Sequence, residues 1–388
     1  MEIIVEYIEL AARWCGWWGL GLAAALVVLY KVELCYYIFR FGRLARYRDR
    51  GQGDEAETQQ SISAIVPLFT EDYSFFEHSL PMLLAQEGIQ VQVIVVYVGE
   101  DKAFYEDIMS LDEAVEQVHV TRIAPNRVRG ISPKLALNIG IKAARCENVI
   151  FVDSGAMPTS SLWLKSMADG FRRGDVVVGY GSWERGGGLL RSLMRLDRML
   201  EGSLSLSSAI DGESYRSWRS CMALTRKVYF DSGGFDHLNM NYGVEDLFLQ
   251  KITRRRRARV VLSPSLTIRE RVWGGVDWWL DRKAMDMATF RFYPSHVRLS
   301  EEWFHLSPAL ALLLTLVAVV MMPLQFKIGA VAYLLLKYII AIWALRPLSR
   351  RLGEGHVHWA LPLYDAFMPL CRLYIWLKSR KRDERVWR

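Results

Sequence analysis

Lys134-Leu-Ala-Leu-Asn-Ile-Gly-Ile-Lys-Ala-Ala144, followed by Val149-Ile-Phe-Val-Asp-Ser-Gly-Ala-Met-Pro158, decides how this chain folds. In the first piece Leu135, Ile139 and Ala143 recur at helical spacing. In the second, 149–152 is apolar without interruption, the pattern of a strand buried on both faces, and Asp153 closes it. A helix feeding a buried strand that ends in a carboxylate marks the edge where open α/β sheets bind ligands.

The same alternation extends on both sides. Upstream, strands are predicted at 62–67, 91–96 and 118–123, with helices at 75–86 and 103–118. Strand and helix in turn argue for βαβ units and a mainly parallel sheet. Past Trp163 the pattern is mixed: strands at 176–180 and 221–225, helices at 189–208 and 244–253, and a turn at Ser232-Gly-Gly-Phe-Asp236. No internal repeat or low-complexity tract interrupts it.

The chain of 388 residues is 52% hydrophobic and carries 14 Trp, too many apolar groups for one soluble domain. The excess is local. Residues 14–30 and 306–326 hold no charge, and 329–345 is broken only by Lys337. Each approaches the roughly 17–25 residues that a spanning helix requires. Glu2, Glu6 and Glu9 precede the first run and no small-residue cleavage site follows it, so it reads as a retained anchor rather than a signal peptide. Arg40, Arg43, Arg46, Arg48 and Arg50 follow that anchor, and Arg346, Arg350 and Arg351 follow the third run. Positive charge stays in the cytosol, which places residues 40–294 there and the last two runs as a hairpin.

The predicted organisation is an anchor at 1–50, a linker at 51–60, an α/β domain at 61–294, a hairpin at 295–351 and an interfacial helix with a basic tail at 352–388. Asp365, Pro362 and Pro369 argue against a further crossing in that last piece. The net charge of +7 sits largely beside the membrane and needs no nucleic acid. Arg254–Arg257 lacks interleaved aromatics and reads as an exposed turn. The five cysteines show no metal-type spacing, and His356-x-His358 is a weak metal signal that reads better as interfacial side chains.

Several local pieces carry a resemblance: Ala64-Ile-Val-Pro67 through Glu71, Lys134-Leu-Ala-Leu-Asn138, Gly179-Tyr-Gly181, Arg226 to Phe235, and Gly243-Val-Glu-Asp-Leu247. With the anchor and hairpin, they resemble bacterial membrane-bound family 2 glycosyltransferases across nearly the whole chain. The resemblance implies a GT-A-like, mainly parallel sheet flanked by helices, located at the bacterial inner (cytoplasmic) membrane. It implies transfer from a nucleotide sugar to a lipid-linked or glycan acceptor with inversion, and leaves room for a partner subunit of a glycan-synthesis complex. Pro67, Phe69, Glu71, Lys134, Asp153, Arg282 and Lys283 correspond to donor-binding positions. Asp246, with Glu245, corresponds to the general base, ionised at the start of a helix. Asp153 corresponds to a ligand of a divalent cation, Mg or Mn, and Trp273, Trp278 and Trp279 are candidates to face the acceptor.

Bland readings stand beside these: Asp153 as a strand-end turn former, Glu245 and Asp246 as helix-start residues, Lys134 as a solvated lysine, the tryptophans as membrane anchors. The chain also departs from the family pattern at three places. Gly155 stands where a second metal-linked acid is expected, and Tyr97-Val-Gly99 where an acid usually follows the second strand. Met285 and Asp286 stand where an Arg and an aromatic residue or His are expected. An active transferase and a catalytically impaired, glycan- or partner-binding relative are the two readings left open.

Overall fold

The computed structural model describes residues 2–48, 60–124, 133–235, 244–254, 256–263 and 266–380. Most of the expected linker and the end of the basic tail lie outside them, as does Gly243. Ten short strands form two sheets: β1 (Ser61–Leu68), β2 (Gln90–Val98), β3 (Val118–Ile123), β4 (Asn148–Phe151), β5 (Ala156–Pro158), β6 (Val176–Val178), β7 (Gly181–Trp183), β8 (Met222–Thr225), β9 (Arg259–Val260) and β10 (Ile268–Glu270). Seven run in the order β3-β2-β1-β4-β8-β6-β9, and β5-β10-β7 make a second sheet of three. β1 pairs in parallel with β2 and β4, while β8 lies antiparallel between β4 and β6.

β1 and β2 are apolar almost throughout because both faces of the sheet are covered. Ile65, Ile94 and Val96 enter one core beside Leu137 and Phe151. Ala64, Val66, Val93 and Val95 enter a second core with Phe104 and Trp163. That alternation is the period of two expected of a strand. The helix Pro133–Ala143 presses directly on β1, so closely that a Cβ on Gly140 would lie 2.3 Å from Ile65 Cγ2. A side chain at this position would force helix and sheet apart.

Among the described residues, three helices are long and apolar enough to cross a membrane: Gly16–Arg46, Ser295–Met321 and Leu324–Arg351. The predicted interruption at Lys337 is resolved by pairing. Its ammonium lies 2.6 Å from Glu33 and 2.8 Å from Asp365, so the first span, the third span and the helix Leu361–Arg380 share one buried ionic cluster. Such charges persist in an apolar setting only when paired. Within the stretch expected as an interfacial helix, Leu361–Arg380 is one helix that continues through Pro369. Two of the arginines at the end of the first of these three helices reach the C-terminal end of the helix Leu189–Ile210. Arg40 donates to Ser208 at 2.6 Å, and Arg43 meets Asp211 at 2.5 Å.

Candidate active site

β4 delivers Asp153 to the C-terminal edge of the sheet, where Val152 N–H still bonds Ile65 O at 2.9 Å. The Asp153 amide donates to Ser220 Oγ at 3.0 Å. Ser220 belongs to the single turn Arg219–Cys221 that enters β8, the neighbour of β4. The same turn brings in Arg219, whose Nη1 lies 2.7 Å from Asp153 Oδ1 and whose Nε lies 2.6 Å from Glu245 Oε1. One guanidinium thereby joins the end of β4 to the first turn of the helix Val244–Thr253. Burial alone would lower the Arg219 pKa, but Asp153 and Glu245 outweigh it and hold the group charged, above its ordinary value.

Asp246 sits beside this bridge and is 8% exposed. Its Oδ1 accepts the Ser217 amide at 3.0 Å and its Oδ2 accepts the Tyr293 hydroxyl. The expectation that the helix start keeps this carboxyl fully ionised does not hold. Burial pushes it up to about 7, against the opposing pull of Arg216 and Tyr293. Arg216 donates to Tyr293 Oη at 3.4 Å and pairs at 3.0 Å with Glu301 of the helix Ser295–Met321. A carboxyl titrating near neutrality is suited to exchange a proton with a hydroxyl.

A cavity of about 130 Å³ opens beside Asp153. Arg271, Arg282, Trp273 and Trp278 line it together with Gly155 and Glu270. Trp278 meets Trp183 edge-on at 5.3 Å, and the Arg271 guanidinium lies 5.1 Å from the Trp273 ring centre. Glu270 is held by both oxygens to Arg198 at 3.0 and 3.1 Å, with the Arg198 guanidinium stacked 3.7 Å from the Trp218 ring. Asp246 is not among the residues that line this cavity.

Of the other predicted donor contacts, Pro67 is buried in β1 opposite Val96, and Phe69 packs half-buried against the main core. Glu71 is exposed and accepts the Tyr97 hydroxyl at 2.5 Å. The Tyr97 ring folds back over Gly99, where a Cβ would come 2.1 Å from its oxygen. Lys134 is half-buried on the first turn of its helix, and that burial lowers its pKa. Arg282 approaches Asp153 Oδ2 at 3.8 Å.

Two expectations need correction. Lys283 does not face the cavity: its ammonium is buried between Asp197, at 2.9 Å, and Glu201. Trp279 is fully buried in the main core and is no acceptor surface, whereas Trp273 is 56% exposed at the cavity mouth.

The residues present do not fit a divalent cation held in the family's manner. Both oxygens of Asp153 face guanidinium groups. A Cβ on Gly155 would lie 3.1 Å from Arg271 Cβ and 3.3 Å from Trp273 Cζ2, so little room remains there for a second carboxylate. Among the described residues no group of three His, Cys, Asp or Glu is arranged to hold a metal.

The mainly parallel sheet flanked by helices, with Asp153 just past the end of β4, is the arrangement of a type A glycosyltransferase fold. The solved mannosyltransferase PcManGT from Pyrobaculum calidifontis, in complex with GDP-Man and Mn2+, superposes with a TM-score of 0.56 at 17% identity, over 89% of this chain and 99% of its own. S. aureus TarS is a more distant match, with a TM-score of 0.43 at 15% identity, over 78% of this chain and 55% of its own. No curated protein matches at a significant level. Residues 59–283 match the family described as "Glycosyltransferase like family 2", which is more than half the chain, and the protein belongs to that family. It is thus a transferase by family, carrying three helices able to span a membrane.

If Asp246 receives the proton, kcat/KM rises with pH through about 7, because the carboxyl must be ionised to act. Tyr293→Phe removes a hydrogen bond that favours the ionised form, so the rising limb is expected to move to higher pH. A pH–rate profile of both proteins checks this, and an unmoved limb would separate Tyr293 from the base.

Proposed function

We propose that the protein transfers a sugar, with inversion, from a nucleotide sugar to a lipid-linked or glycan acceptor at the cytosolic face of a bacterial cytoplasmic membrane. Asp246 takes the proton of the acceptor hydroxyl as that oxygen attacks the anomeric carbon. The bond to the donor's diphosphate breaks with its electron pair, and the nucleoside diphosphate leaves. Asp153 marks the donor side, and Trp273 and Trp278 offer flat faces at the mouth for a sugar ring. The observation that carries this reading is the Arg219 bridge. It brings Asp153 and Glu245, the residue adjoining Asp246, to one site beside a cavity. The arginine-rich flanks of the spans support the cytosolic orientation.

A second reading, a membrane scaffold that binds glycan or a partner without transfer, draws on the size of the cavity. Its 130 Å³ is below the roughly 300–1,000 Å³ usual for small-molecule sites. Incubating the detergent-purified protein with membrane lipid and a panel of labelled nucleotide sugars separates the two. Transfer of label to lipid or glycan is expected. Donor binding with no transfer to any acceptor would favour the scaffold.

A further inference from the structure

We propose that the donor's diphosphate is bound by guanidinium groups in place of a divalent cation, with Arg271 and Arg282 as its contacts. The inference rests on the donor-binding reading above. Its basis is the distribution of charge around the cavity beside Asp153.

Four charged side chains line that cavity: Asp153, Glu270, Arg271 and Arg282. Glu270 is held by Arg198 through both oxygens, and Asp153 shares Arg219, at 2.7 Å, with Glu245. With Arg271 and Arg282 on the wall, the arginines of the site outnumber these carboxylates, which leaves an excess of positive charge at the cavity. Arg271 donates to the uncharged Ser74 hydroxyl at 2.5 Å, and its guanidinium lies 5.1 Å from the Trp273 ring centre. Arg282 meets Asp153 only at 3.8 Å, beyond ordinary hydrogen-bond distance. Two guanidinium groups on one small polar cavity suit a diphosphate, since each can offer a planar fork of N–H donors to phosphate oxygens.

Gly155 fits the same account. The backbone at Gly155 is where the family's second carboxylate would start, and the atoms packed against it are Arg271 Cβ and the Trp273 ring. The space for an anionic ligand to a metal has been given to a residue that carries positive charge itself. In the transfer step the anomeric C–O bond breaks and its electron pair passes to the diphosphate. Arg271 and Arg282 offset that growing charge, while the acceptor's proton goes to Asp246. Fixed cations aimed at a developing anion are an accepted way to lower such a barrier.

Calorimetric titration of the full-length, detergent-solubilised protein with UDP, GDP, CDP, ADP and dTDP, in excess EDTA and then in Mn²⁺, tests the inference. At least one nucleoside diphosphate is expected to bind in EDTA, with an affinity that Mn²⁺ changes by less than about threefold. Arg271→Gln and Arg282→Gln are each expected to weaken it by about tenfold or more, the loss of a charge-assisted contact. Thermal melting of both variants, unchanged, would confirm that the loss is local. Binding that appears only with Mn²⁺ overturns the inference and leaves the donor-site reading intact. Failure of all five nucleotides under both conditions overturns the two together. EDTA-resistant binding that neither arginine variant weakens also overturns it.

Discussion

Asp246→Asn is expected to lower the rate of sugar transfer by about 10²–10⁴-fold, the usual contribution of a general base. Nucleoside diphosphate affinity should stay nearly unchanged. The substitution is close to isosteric, and its amide oxygen can still accept the Ser217 N–H now bonded to Oδ1. What it cannot do is take up a proton. The same variant decides between catalysis and helix stabilisation. A residue that merely favoured the start of the helix Val244–Thr253 would register as a fall in melting temperature of the size of a lost helix-end contact, about 1 kcal/mol, with the rate untouched. Initial rates together with a melting curve distinguish the two. Turnover at the wild-type rate would remove Asp246 from the chemistry.

The second large effect concerns stability. Lys283→Met leaves Asp197 and Glu201 facing each other in the core without the ammonium between them. Asp197 keeps the Tyr364 hydroxyl at 2.9 Å, which cannot offset a buried negative charge. Breaking a buried ion pair by removing one partner costs about 3–5 kcal/mol, and here one cation serves two carboxylates. The loss should also loosen three helices at once, because Lys283 lies on Val276–Phe290, the two acids on Leu189–Ile210 and Tyr364 on Leu361–Arg380. Thermal denaturation in detergent is expected to show it, with donor affinity preserved below the transition. A variant of wild-type stability that has lost nucleotide binding would return Lys283 to the donor site.

The neighbouring residues Arg282 and Lys283 show where sequence reading stops. Both were expected at the diphosphate, yet successive residues on a helix point about 100° apart. One reaches the cavity and the next reaches the core. Trp278 and Trp279 divide in the same way. Leu280, Ala284 and Ala288 recur at helical spacing and share the buried face with Trp279, but the charge of Lys283 on that same face masks the pattern.

The parallel sheet was legible because 62–67, 91–96 and 149–152 are apolar runs with regular spacing. The sheet of β5, β10 and β7 was not, since strands of three residues are too short to carry a period. Asp153, Glu245 and Asp246 stood out as carboxylates at the ends of periodic elements. Arg219 and Tyr293 did not, as each lies in an irregular stretch and finds its partner far along the chain. Sequence separations of 66 and 47 residues, for Arg219 to Asp153 and Tyr293 to Asp246, are closed only by the antiparallel placement of β8 and by the packing of the segment that leads into the helix Ser295–Met321.

That packing bears on how the molecule can be divided. Tyr293 stands one residue before the expected end of the α/β domain at 294, and Glu301 belongs to the helix Ser295–Met321 beyond it. Through Arg216 the two settle the surroundings of Asp246. A fragment ending at 294 would keep Asp246, Arg216 and Tyr293 and lose Glu301, the carboxylate that anchors the Arg216 guanidinium. The surroundings of Asp246 thus reach past the expected boundary at 294 into a helix long and apolar enough to cross a membrane.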